Sequence, residues 1–68
     1  MTNSRRATIE AGTAVYREWR RGAGAELDRW SKTYLTPRGA KLLYSGMTRS
    51  MSEDQARELV TRAVATGY

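Results

Sequence analysis

Between Ile9 and Tyr34 the apolar and small residues recur at steps of three and four. Ile9, Gly12, Tyr16, Trp19, Ala23, Leu27, Trp30 and Tyr34 therefore share one face of a helix. Gly22-Ala23-Gly24 lies across the middle of this stripe, and each glycine costs about 1 kcal/mol relative to alanine inside a helix. The period runs through the tripeptide in phase, so one long helix and two helices joined by a turn both fit it. The two-helix reading is preferred, with Ser4 as N-cap of a helix over about Arg5–Arg21. A single long helix would leave half the stripe uncovered and make a homodimer the simplest cover. Gly12 on the stripe suits a close helix crossing, within or between chains.

Downstream, Thr36-Pro37 is a helix start, because Thr caps and Pro fits the first helical position. Ala40, Leu43, Tyr44 and Met47 give this helix its apolar face, and Gly46 is expected as a left-handed C-terminal cap. Ser52-Glu53-Asp54-Gln55 reads as a capping box whose acids sit on the positive end of the helix dipole. Ala56, Leu59, Val60, Ala63 and Val64 form the last stripe, with Gly67 as its stop. Met51 is expected to staple onto Ala56, and Glu53–Arg57 and Glu58–Arg62 to pair at i, i+4. Only a few residues around Tyr34–Thr36 alternate with period two. The reading is an all-α fold, a small bundle of three or four short helices forming a single basic domain over residues 1–68.

Size and composition narrow the chemistry. A chain of 68 residues buries only ~60% of the surface its unfolded form exposes, and a deep pocket would compete with the core for the same side chains. Cysteine and histidine are both absent, which removes disulfides, thiolate nucleophiles, the commonest metal ligand and the usual general base near pH 7. Glu26 and Asp28 point apart on a helix, and no glycine-rich phosphate loop follows a strand. The expectation is a protein that is not an enzyme and uses no cofactor or metal. No apolar run exceeds stretches such as Leu42-Leu43-Tyr44, so no membrane span is expected and a cytoplasmic location is the default.

Charge is the remaining signal. Residues 1–50 hold ten of the twelve basic side chains against four of the seven acids, a net of +6, and the sequence pI is near 10.2. Such a field attracts polyanions. On the first helix Arg6, Arg17, Arg20 and Arg21 fall on one face beside the apolar stripe, with Glu10 among them. Arg29, Lys32, Arg38 and Lys41 extend this candidate surface if the next helices pack alongside. Basic and aromatic residues interleave at Tyr16–Arg21 and Trp30–Tyr34, as on single-strand platforms. All four of these aromatics lie on the predicted buried stripe, however, and a chain without Phe needs Trp19 and Trp30 as core volume.

Two local patterns resemble nucleic-acid-binding motifs. A helix-turn-helix with residues 53–66 in the major groove would put Glu53 and Asp54 against phosphates. Tyr34–Gly39 running into Leu42-Leu43 is similar to the junction before the last helix of winged-helix repressors, but the likeness does not extend upstream and no family is assigned. The leading function is a non-catalytic accessory or regulatory protein that binds nucleic acid or a nucleoprotein through phosphates. The alternative is a small inhibitor or adaptor, of the kind phages and mobile elements encode, on an acidic surface of a larger protein. An arginine stripe that faces outward favours the first, and one broken up by Glu10, Glu18 and Asp28 counts against it. Exposed Trp, Tyr or Met beside Arg favours the second.

Overall fold

A computed structural model describes the backbone of residues 2–66 and the side chains of residues 5–66. The chain is all-α: α1 (Thr2–Arg20), α2 (Ala25–Tyr34), α3 (Pro37–Gly46) and α4 (Glu53–Ala65), with no strand among the described residues. Four helices form a small bundle, as the stripes require. α1 begins three residues earlier than expected, so Ser4 lies inside it rather than capping it.

The break between α1 and α2 is made by Gly22. Its φ of +104° is the only positive value among the described residues. Gly22 N–H donates to Trp19 O at 2.9 Å and Ala23 N–H donates to Glu18 O at 3.1 Å, the paired bonds of a Schellman C-cap. Periodicity could not show this, because it continues in phase through a turn that needs a residue without Cβ. Gly46, by contrast, is the last residue of α3, and the chain leaves that helix through extended Met47. The left-handed cap expected at Gly46 therefore belongs at Gly22.

The two other helix starts are those read from sequence. Thr36 Oγ1 accepts from Gly39 N–H at 3.1 Å with Pro37 in the first turn. Ser52 and Gln55 complete a reciprocal capping box. The period-two residues at Leu35 and Thr36 are the extended link between α2 and α3. α4 ends at Ala65 with Thr66 as C-cap, and Gly67 lies outside the described residues.

The chain folds its stripe back on itself, with α1 packed on α2 and α4, and α3 on α4. Trp30 of α2 lies so close to α1 that a Cβ at Gly12 would overlap its six-membered ring. The uncovered stripe that called for a homodimer thus does not arise. A Cβ at Gly39 would stand 2.5 Å from Ala63 O, which makes the α3–α4 seam a backbone-to-backbone approach. Leu27, Trp30, Leu43, Leu59, Val60, Ala63 and Val64 form the core, with Ile9, Val15, Leu35 and Met51 packed at its margin. Burying one such side chain contributes about 1.5–3 kcal/mol. Trp30 Nε1 is buried without a hydrogen-bond partner among the described residues, a penalty of about 1–3 kcal/mol that the ring's packing must offset.

The aromatics are not uniformly core. Tyr16 and Trp30 are buried, Trp19 is half-buried, and Tyr34 and Tyr44 are 47% and 42% exposed. Tyr44 nonetheless reaches α2 through its hydroxyl, which meets Ser31 and Asp28. No helix of the described residues is long and apolar enough to cross a membrane.

Candidate nucleic-acid interface

Helix register decides where the cations go. Arg17 on α1 pairs with Glu53 at the start of α4 at 2.5 Å, and Glu10 pairs with Arg57 one turn further along α4. α1 and α4 are therefore antiparallel. Trp19 lies against Gly24 and Gly12 against Trp30, so α1 and α2 are antiparallel as well. Thr36 Oγ1 donates to Thr66 O at 3.2 Å, which sets the start of α3 beside the end of α4. One end of the bundle, the loop end, holds the last turn of α1, the first turns of α2 and α4, and residues 47–52. The other, the open end, holds the first turns of α1 and α3 and the last turns of α2 and α4.

The basic face predicted on α1 does not survive as one stripe. Arg17 is held by Glu53 and Arg21 by Glu18 at 3.6 Å, while Glu10 is turned to Arg57 on α4. Arg29 pairs with Glu26 at 3.2 Å and Lys32 with Asp28 at 3.4 Å. Of the candidate contacts, Arg17, Arg21, Arg29 and Lys32 are thus engaged in exposed intramolecular ion pairs. The Glu53–Arg57 and Glu58–Arg62 pairs expected along α4 do not form either. Both Glu53 and Arg57 reach across to α1, which offers opposite charge on the adjoining face.

Arg6, Arg20, Arg38 and Lys41 are exposed, with no ion-pair partner among the described residues. Arg20 stands near the buried Tyr16 hydroxyl. Burial pushes that phenol above its usual value, and the Arg20 charge pulls it part of the way back. The hydroxyl donates to Thr48 O at 2.5 Å and ties α1 to the α3–α4 connection. Arg6 and Arg38, on different helices, are brought to the open end.

Sequence reasoning passed over three arginines. Arg5 falls outside the face chosen on α1, and Arg62 was assigned to Glu58, yet both are exposed at the open end without ion-pair partners among the described residues. Their gathering depends on antiparallel register, which one-helix patterns do not contain. Arg49 was not singled out. It lies 4.7 Å over the Trp19 ring and donates to Trp19 O at 3.4 Å, so it closes the C-terminal end of α1.

Among the described residues no three acids come together to hold a metal ion. A shallow groove between α2 and α3, lined by Leu35, Pro37, Ala40 and Tyr44, is crossed by Tyr44 Oη hydrogen bonds to Ser31 and Asp28. No protein-family model matches the chain, and no curated protein or solved structure shows significant similarity to it.

Proposed function

We propose that this chain is a non-catalytic accessory or regulatory protein that binds nucleic acid or a nucleoprotein through phosphate contacts. The observation that carries the reading is the set of exposed cations with no ion-pair partner among the described residues, on a chain of net charge +5. An arginine in water without an acid beside it adds little to the fold, and its planar fork suits bidentate contact with phosphate.

The alternative, an adaptor on an acidic protein surface, is favoured by the broken α1 stripe and by Tyr34 and Tyr44 at the surface. Two tyrosines are the only large apolar side chains exposed among the described residues, and Tyr44 spends its hydroxyl on Ser31 and Asp28. A protein interface needs an apolar, well-packed centre, and this surface offers little of one. The ion pairs that break the stripe are half-exposed or more, so they compete weakly with phosphate.

Titration against a mixed-sequence DNA duplex tests the proposal. Four to six phosphate contacts give a log–log salt slope of about −4 to −5 with little sequence preference. Absence of binding at about 50 mM salt sinks the nucleic-acid reading and promotes the adaptor.

A further inference from the structure

Arg5 and Arg6 in α1, Arg38 in the first turn of α3 and Arg62 in the last turn of α4 all belong to the open end. All four are exposed and none has an ion-pair partner among the described residues. Lys41 stands one turn from Arg38 on the exposed side of α3. Five of the seven acids, Glu18, Glu26, Asp28, Glu53 and Asp54, lie toward the loop end. Glu10 is occupied by Arg57, which leaves Glu58, one turn before Arg62, as the nearest uncommitted acid.

A second observation is independent of pairing. α2 and α4 carry acids in their first turns, as the helix dipole favours, and both of those turns are at the loop end. α1 and α3 start at the open end with no acid in the first turn of either, and Arg38 sits directly on the positive end of α3. Placing cations there works against helix stability. A local rule broken with no compensating contact marks a functional surface rather than a structural one.

We infer that this open end, carrying Arg5, Arg6, Arg38 and Arg62, is the surface that meets the nucleic acid. It grips backbone phosphates. The inference rests on the function proposed above. Packed helices stand about 8–10 Å apart, and duplex DNA carries one charge per about 1.7 Å of axis. Arginines on three helix ends therefore span several phosphates at once. Among the described side chains at the same end there is no Asn or Gln to make a bidentate contact with adenine.

The test compares two variants of the full chain on the same labelled duplex over a salt series, with helicity and melting followed by circular dichroism. Arg5, Arg6, Arg38 and Arg62 all changed to Gln should melt at or slightly above the parent, bind about 100-fold more weakly at low salt, and lose about 3–4 units of salt slope. Arg17, Arg20 and Arg21 changed to Gln should keep most of the parent's affinity. Should the fourfold Gln variant fail to fold, the single changes Arg38→Gln and Arg62→Gln each should flatten the slope by about one unit. Parent-like binding by the open-end variants, with loss in the loop-end variant, overturns the inference and leaves the function standing. No binding by the parent sinks the function itself. Displacement of the duplex by polyglutamate at equal charge also overturns the inference, because the surface would then take carboxylates as readily as phosphates.

Discussion

At the end of the bundle where α1 stops, Arg17 and Arg21 are held by acids, and Arg49 lies over Trp19 and bonds its carbonyl. At the end where α1 starts, Arg5, Arg6, Arg38 and Arg62 face water with no ion-pair partner among the described residues. The residue type is the same and its use is opposite. The difference follows from topology. The first turns of α2 and α4 sit together at the loop end and bring the acids that helix dipoles favour. Glu53, so placed, then holds Arg17, Glu18 of α1 itself holds Arg21, and Arg20 has no ion-pair partner among the described residues. A count of basic residues locates a field, but the direction in which the helices run decides which cations are free to use it.

The largest expected effect erases the comparison altogether. Trp30→Ala empties the space between α1 and α2 and should cost about 3–5 kcal/mol, so that denaturant melts show both ends lost in one transition or no folded state at all. Survival of helicity at one end alone would mean that the ends are separately stable.

Gly39→Ala comes next and strikes the open end only. The added Cβ would press on Ala63 O, and a shift of about 1–3 kcal/mol in denaturant midpoint is expected as α3 is pushed off α4. Duplex affinity should fall with it, because Arg38 rides on the displaced turn.

At the loop end, Tyr16→Phe should cost about 1–2 kcal/mol by leaving Thr48 O without its donor. The same variant has a pH signature. Burial raises the folded pKa of this phenol above its usual 10.0, so its stabilisation is present below that value and is lost as pH rises through the folded one. The parent should therefore lose stability faster than Tyr16→Phe as pH climbs above 10, with duplex affinity at neutral pH unchanged in the variant.

The smallest effect on stability comes from the α1–α4 ion pairs. Glu10→Gln with Glu53→Gln should change stability by less than about 1 kcal/mol, since all four side chains are roughly half-exposed. Releasing Arg57 and Arg17 should nonetheless strengthen duplex binding severalfold and steepen the salt slope by about one unit. An unchanged slope would show that cations outside the open end do not reach the duplex even when free.

What sequence shows here is local, and what it hides is relational. The Thr36 cap, the Ser52–Gln55 box and the α4 stripe were legible because a few adjacent residues satisfy one another's backbone groups. The Gly22 cap was visible as a break but not as the left-handed residue, which periodicity assigned to Gly46 instead. Trp30 is core as its place on the stripe implies, while Trp19 at the edge of the stripe is half-buried, and Arg49 from another segment lies over its ring. Arg6 and Arg38 were chosen on one-helix grounds and belong to the open end. Arg5 and Arg62 were missed because nothing within either helix says that α1 and α4 run in opposite directions.

The most direct measurement follows the arginine Nε–Hε signals of the full chain by NMR while a short mixed-sequence duplex is added at low salt. Arg5, Arg6, Arg38 and Arg62 should shift and broaden first, with Arg17, Arg21 and Arg49 nearly unmoved. Early movement of Arg17 and Arg21 with a silent open end would contradict the assignment of binding to the unpaired cations.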